Sequence, residues 1–525
     1  MKNLTQKMFL FLMSIFVIVV YALSLRGLPG NPTAENLKSS NWRYEGPLEL
    51  SPERGRYALV YSIIEDKSLQ FSPDVANMAI PDLAYSKSGN FVSLFAPGVS
   101  FVVLPGYLIG RYFGAAQVGT YGLISVFAFL NFLLIIAISS RLGAGRWASF
   151  LGALTFVFAT PAFAYGVNLY QHHISVFLLL VSLYLIIRYN NYISLSIIWF
   201  LCTLSVIIDN PNFFLMLPVG VFAFYKMIIL LRADLSRGNF FYSLLKSLIT
   251  FVAIVPPIIF FLWYNNAAYG DSLQLPGTLP SVSAIDENNK PIDKSKIDNV
   301  RVDDDNVSKE KTALGFFKTR NLYNGLYEHF VSADRGIIYF TPVILFGILG
   351  LIFLYRDKPV VSSLFIAVIG FNVLLYSMWG DPYGGWAFGS RYLIPTYAIL
   401  SIGISLGLHA YSRKWIFPII FILLFTYSAW VNTLGAITTS TIPTKAEVLL
   451  LEQRTGHEEK YNFMRSWEFL NKKYSDVGSK SFLYQVSFKK HLDSREYFYV
   501  VYGAVLLIAF AGGIFFYKEN VIKNK

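Results

Sequence analysis

The chain returns again and again to uninterrupted apolar stretches long enough to cross a bilayer, and that recurrence restricts it to one kind of architecture. A hydrocarbon core about 30 Å thick needs roughly 20 helical residues to cross it. Runs of that kind fall at 8–25, 116–140, 147–167, 172–188, 191–208, 211–231, 245–264, 338–356, 360–379, 391–411, 415–436 and 497–517. Inside a bilayer every backbone donor and acceptor must be satisfied within the segment, so these runs predict helices. The expected fold is therefore an all-α polytopic membrane protein, a bundle of about 12 transmembrane helices. Composition agrees, with 54% hydrophobic residues, 14% charged residues and a mean hydropathy of +0.48.

Two pieces need separate treatment. The first apolar run follows Lys2 and Lys7 in the manner of a signal peptide, but it is long enough to span and more spans follow, so it reads as an uncleaved signal anchor. The stretch Ala96 to Arg111 contains Pro105 and Gly106 and covers little over about 20 Å as a helix. It reads as a re-entrant or interfacial element.

Charge placement supports leaving that piece out of the spanning count. Arg141, Arg146, Arg188, Arg232, Arg237, Arg356, Lys358, Arg413 and Lys414 then fall on the side of the N-terminus. Basic loops stay in the cytoplasm, so the opposite face is external. The same bias accounts for the net charge of +12 without nucleic acid. The core is expected over residues 1–436, with external loops at 26–95 and 265–337. A cap-like external loop follows at 437–496, carrying Trp467, Phe469, Tyr474, Phe482 and Tyr484, and the last helix and cytoplasmic tail occupy 497–525. The polar, mixed-charge stretch 284–311 reads as an excursion without chemistry; Asn306 begins a weak N-x-S pattern within it. The lone Cys202 lies in an apolar run and excludes both a disulfide framework and a cysteine-based metal site. No glycine-rich phosphate loop, H-E-x-x-H or internal repeat occurs. Any chemistry is expected on the external loops.

The most informative of these stretches is Leu50 to Phe71. Ser51 suits a helix cap, Pro52 its first turn, and Glu53 the position where the helix dipole favours a negative charge. Tyr57, Val60, Tyr61 and Ile64 then line one face, which predicts a helix lying along the membrane surface with Glu53 and Arg56 one turn apart at the water boundary. Among the acids of this loop (Glu35, Glu45, Glu49, Glu53, Glu65, Asp66, Asp74, Asp82), Glu53 and Asp82 lie beside aromatic-rich stretches, where partial desolvation raises carboxylate basicity. Glu65 and Asp66 read as a helix end.

Three further groups are candidates. His172 and His173 open an apolar helix from which a side chain reaches a phosphate or hydroxyl, although adjacent helical residues point apart and suit a shared metal poorly. An interfacial pair that merely caps the helix is the alternative. Asp209 reads as a turn residue. Trp379 to Pro395 and Ser332 to Pro342 each place an arginine, Arg391 and Arg335, at a helix start among glycines and aromatics. Arginine grips phosphate with two donors; a snorkelling residue in an aromatic belt is the alternative.

With these motifs in view, the chain resembles the membrane-embedded GT-C glycosyltransferases, in particular bacterial relatives of protein O-mannosyltransferases and of the enzymes that move aminoarabinose onto lipid A. "ERGRYA", Glu53 to Ala58, resembles the superfamily's acidic motif followed by Arg-Tyr, with Arg54 where a second acid is often found. "YGGWAFGSRYLIP" is similar to a later motif, and the segment preceding Pro97 carries Phe95 where the family has a lysine. The resemblance implies a polyprenyl-phosphate sugar donor, a glycan, lipid or protein acceptor on the external face of a bacterial cytoplasmic membrane, and an inverting transfer. It implies Glu53 as general base with Asp82 as the alternative. Donor phosphate would be held by Arg391, Arg56, Arg335, Lys87 or the histidines. No cofactor is expected, and metal dependence stays open. The rivals are a lipid-linked sugar transporter, for which the spans are poor in ionisable residues, and an oligosaccharide ligase or polymerase. Reporter fusions placed after Asn90 and at about residue 300 should both report the external side; a cytoplasmic signal from either overturns the helix count.

Overall fold

Each long apolar run is helical in the computed structural model, which describes residues 2–39, 48–235, 240–282, 284–286, 288–292, 313–412, 414–456 and 478–523. Glu45, Arg237, Asn306, Arg413, Trp467, Phe469 and Tyr474 lie outside the described residues. The chain opens with α1 (Lys2–Ser24), and its first long connection carries α2 (Ala34–Lys38), α3 (Ser51–Tyr61), α4 (Pro73–Ala79) and α5 (Gly98–Tyr112). The bundle continues with α6 (Ala116–Leu142), α7 (Arg146–Phe158), α8 (Ala162–Tyr165), α9 (His172–Arg188), α10 (Tyr192–Ile208), α11 (Asn212–Leu235), α12 (Phe240–Ile249) and α13 (Val255–Tyr269). It is completed by α14 (Leu322–Phe330), α15 (Ile337–Phe340), α16 (Phe346–Asp357), α17 (Pro359–Ser377), α18 (Ile394–Tyr411), α19 (Ile416–Ile437), α20 (Lys445–Thr455) and α21 (Ser494–Lys523).

Among the described residues, 7 helices are long and apolar enough to cross a membrane, and shorter apolar helices lie at Met8–Ser24, Arg146–Phe158, His172–Arg188 and Tyr192–Ile208. The protein is an all-α polytopic membrane protein. Two expected spans are broken. The run 147–167 divides between α7 and α8 at Pro161, and the run 338–356 divides between α15 and α16 around Pro342. Proline removes a helical donor and frees a carbonyl that lipid cannot satisfy. Side chains satisfy the exposed carbonyls: Thr341 donates to Ala159 O at 2.7 Å, and Asn432 to Phe340 O at 2.8 Å. The stretch from 98 to 112 is one helix running through Pro105.

Without a hydrophobic drive between helices in lipid, close packing depends on small residues. A Cβ on Gly350 would stand 1.7 Å from Gly403 O, so α16 and α18 touch backbone to backbone. Gly119 does the same for α5 and α6, where an added Cβ would meet Gly106 O at 2.1 Å. A small antiparallel sheet, order β2-β1-β3, joins β1 (Leu83–Tyr85) and β2 (Phe91–Ser93) of the first connection to β3 (Ser281–Val282) after α13.

The first connection is fastened at its start by a buried ion cluster. Arg26 Nη1 lies 2.9 Å from Glu49 Oε2, and Lys480 Nζ 2.6 Å from Glu49 Oε1. Arg26 also donates to Ala436 O and Gly435 O at the end of α19, while Ser440 N donates to Glu49 at 2.6 Å. Burial raises the Glu49 pKa, but the charges of Lys480 and Arg26 outweigh it and hold the carboxyl at about 2. Removing one member of such a cluster leaves the others buried and uncompensated, which costs about 3–5 kcal/mol. Glu49→Gln should therefore lower the melting temperature of the purified protein by several degrees at pH 7. A melting temperature equal to the parent's would show that the cluster does not hold the fold.

Candidate active site

The helix that carries Glu53 forms for the reasons its residues suggest, but it sits elsewhere than on a membrane surface. Pro52 occupies its first turn as expected. Leu50 is the cap residue, and the Glu53 carboxylate closes the turn by accepting from Leu50 N at 3.2 Å. Ser51 does not cap: its hydroxyl donates to Asp82. Every residue from Glu53 to Tyr61 is buried, including Arg54 and Arg56. The expected surface helix is thus a core helix, because α4, α5 and the 169–171 segment enclose its polar face. Arg54, standing where a second acid was expected, donates to the carbonyls of Glu49, Met78 and Ile80 and ties α3 to the end of α4.

One turn on, Arg56 points into a cluster centred on Tyr170. Its Nη2 donates to Gln171 Oε1 at 2.8 Å and its Nη1 to Leu169 O at 3.4 Å. The guanidinium carbon stands 5.0 Å from the centre of the Phe95 ring and 5.6 Å from that of Tyr170. Gly55 makes room for this, since a Cβ there would meet the Phe95 ring at 3.1 Å. So beside the phenyl ring at position 95 lies a cation supplied by the neighbouring helix. Arg391 approaches the same tyrosine, 5.1 Å from its ring centre, and His172 is stacked on that ring with planes 8° apart and centres 5.8 Å apart. The turn before Arg391 comes close because Gly384 lacks a side chain and takes a φ of +76°; a Cβ there would stand 3.2 Å from Arg391 Nε. Arg56, His172 and Arg391 are therefore assembled from three distant parts of the chain, and Glu53, one turn before Arg56 on α3, lies within electrostatic reach of Arg56 and Tyr170.

Several polar atoms here make no hydrogen bond to the described protein residues: Glu53 Oε1, Arg56 Nε, Tyr170 OH, His172 Nε2 and Arg391 Nε. Buried polar groups are ordinarily paired, so these five atoms make this region a candidate place for polar ligand atoms. Burial pushes the Glu53 carboxyl up, the negative charge of Glu49 pushes it further, and Arg26 opposes both, leaving it at about 7. Burial lowers Arg56, which Asp209 partly offsets. Asp209 is itself raised, burial outweighing Arg56, the hydrogen bond from Gln171 Nε2 at 3.0 Å and Arg391. Tyr170, Gln171 and Asp209 were not singled out as site residues. Asp209 looked like a turn, and only the fold places it beside two arginines; the run "YGVNLYQ" before the histidines was the one local signal for the other two.

Other candidates lie apart from this cluster. Asp82 is half-buried and holds the start of α3 through Ser51. His173 points away from His172, its Nε2 2.7 Å from Ala162 O. Arg335 is buried with its donors on the carbonyls of Asp334, Tyr383, Gly385 and Ile442, which makes it a clamp on the glycine-rich turn. Lys87 is exposed and pairs with Asp271 at 3.2 Å. Glu65 pairs with Arg111 at 2.7 Å at the end of the helix, as its sequence position suggested. Among the described residues no group of three or more His, Cys, Asp or Glu side chains is placed to hold a metal ion.

No protein-family model matches the chain, and no curated protein matches it. Among solved structures, the chain is similar to ArnT from Cupriavidus metallidurans in the apo state, with 11% identity, 97% of this chain and 77% of that one covered, and a TM-score of 0.41. It is also similar to ArnT from Cupriavidus metallidurans bound to undecaprenyl phosphate, with 12% identity, 97% and 76% covered, and a TM-score of 0.45.

Proposed function

We propose that the protein is a membrane glycosyltransferase that moves a sugar from a polyprenyl-phosphate donor to an acceptor hydroxyl on the external face, with inversion. The observation that carries this reading is a buried carboxylate, Glu53, within electrostatic reach of Arg56 and of Tyr170, the ring on which Arg56 and Arg391 gather. It joins the sequence resemblance of "ERGRYA" and "YGGWAFGSRYLIP", which are the segments that supply these groups.

The chemistry follows from charge. Glu53 takes the proton of the acceptor hydroxyl as that oxygen forms a bond to the anomeric carbon. The bond between that carbon and the phosphate oxygen breaks, and its electron pair leaves on the lipid phosphate. Negative charge grows on the phosphate, where Arg391 and Arg56 provide fixed positive charge in a water-poor setting. Arg56 thereby fills the part of the missing lysine at Phe95, and His172 Nε2 is a third contact for phosphate or sugar. Arg335, with its donors on carbonyls, positions the turn that presents Arg391.

A general base of this kind contributes about a hundred- to ten-thousandfold. Glu53→Gln keeps the shape and the bond from Leu50 N, so transfer in a purified assay with polyprenyl-phosphate sugar should fall by about that factor while donor binding persists. Glu65→Gln is the control and should stay within a fewfold of the parent. Transfer by Glu53→Gln near the parent rate would make Asp82 the next candidate and end this assignment.

The elevated Glu53 pKa has a sign in both activity and stability. The base works only when deprotonated, so kcat should rise with pH and level off above an apparent pKa near 7. A folded-state pKa above the ordinary Glu value means the folded protein binds the extra proton. That stabilisation is complete below about pH 4.5 and lost as pH rises through 7. At pH 8 Glu53→Gln should then melt no lower than the parent, although it is inactive. A lower melting temperature, with a flat pH–rate profile in the parent, would place Glu53 among structural residues.

A further inference from the structure

At the other end of α9, about 25 Å from His172 by helix length, a cavity of about 450 Å³ opens between the ends of several helices. Four cations line it, and they come from separate elements: Arg141 from the end of α6, Arg188 from the end of α9, Lys226 from α11 and Lys358 from the turn between α16 and α17. No acidic side chain lines it. Basic loops at this end satisfy the topological rule wherever their charges lie. That rule does not call for four of them around one hollow.

The two lysines are anchored. Lys226 Nζ donates to Ile186 O and to Tyr189 O at 2.8 Å, and Lys358 Nζ donates to Leu142 O at 3.2 Å, so both cap helix ends where partial negative charge gathers. The ion pair of Lys358 with Asp357 is long, at 3.9 Å. The arginines differ. Arg188 lies over the ring of its neighbour Tyr189, and both Arg188 and Arg141 are exposed, with no hydrogen bond or ion pair to any described residue. Two free guanidinium forks beside two fixed ammonium groups suit a phosphate, which takes paired donors from arginine. Phe222 also lines the cavity, and Tyr225 and Ile229 on the same helix are exposed to the surroundings, so an apolar chain can run along α11 from a headgroup held in the hollow.

We propose that this cavity binds the phosphate group of an anionic phospholipid on the face opposite the candidate active site. Basic pockets between helix ends hold such headgroups by charge and by the adjoining lipid-facing surface. The site is independent of the glycosyltransferase reading, since none of its residues belongs to the Glu53 cluster.

The test uses the full-length protein in detergent, with native mass spectrometry and thermal melting after adding phosphatidylglycerol, phosphatidylcholine or inorganic phosphate separately. The parent should retain phosphatidylglycerol over phosphatidylcholine and melt higher with it. Arg141→Gln with Arg188→Gln should weaken that retention by about tenfold or more, while Arg356→Gln, an exposed charge at the same end, should keep it. Should inorganic phosphate alone raise the melting temperature, and only when Arg141 and Arg188 are present, the ligand is a soluble phosphate and the lipid assignment is overturned. Equal retention of phosphatidylglycerol by the double variant and the parent would overturn the site altogether.

Discussion

One buried carboxylate between two cations fixes the end of the molecule that carries Glu53. Glu49 is held by Arg26 and Lys480 where α1 ends, where the first connection approaches the bundle, where α19 ends and where the segment before α21 begins. A charge of this kind persists in low dielectric only because its partners and the Ser440 amide surround it. Four stretches of chain, widely separated in sequence, are thereby brought to one point. Helix α3 starts directly after Glu49, so its direction and the position of Glu53 follow from that junction.

The cluster also shifts the proton affinity of Glu53. Glu49 stays ionised, and its charge adds to burial in raising Glu53, while Arg26 pulls the other way. A carboxyl poised near neutrality suits the general base proposed for Glu53, and a structural ion group helps set it. The second arrangement on which the site depends is aromatic. Tyr170 gathers Arg56, Arg391 and His172 on its ring, so two cations that would repel one another are spaced by a polarisable surface that attracts both. Asp209 lies within electrostatic reach of both arginines and lowers the cost of burying them together.

Much of this was legible in the residues, and the limits have physical causes. Apolar runs alone predicted the helices, because a bilayer permits no other spanning structure here. The breaks at Pro161 and Pro342 were foreseeable from proline, yet hydropathy, which averages over a window, reads straight through them. Glu53, Arg56, His172 and Arg391 were named from local motifs, and the fold brings Arg56, His172 and Arg391 onto the Tyr170 ring with Glu53 one turn away from Arg56. The error lay in their surroundings: helical periodicity in Tyr57, Val60 and Tyr61 shows an apolar face but not what covers the opposite one, so a core helix read as a surface helix. Arg335 and Arg391 look alike in sequence, each at a helix start among glycines. Only the fold shows that Arg335 is occupied by four carbonyls while Arg391 faces Tyr170. Asp209 was passed over because a turn explained it, and its role depends on contacts between segments that no local pattern encodes.

The central claim is that Arg56 and Arg391 together hold the phosphate of a lipid-linked donor beside Glu53. An experimental structure of the protein with polyprenyl phosphate tests it most directly. The account predicts phosphate density within hydrogen-bonding distance of both guanidiniums, next to the Tyr170 ring and on the side of Glu53 Oε1. Phosphate bound at Lys87 or elsewhere, with Arg56 and Arg391 still packed on Tyr170 and touching no ligand, would contradict it.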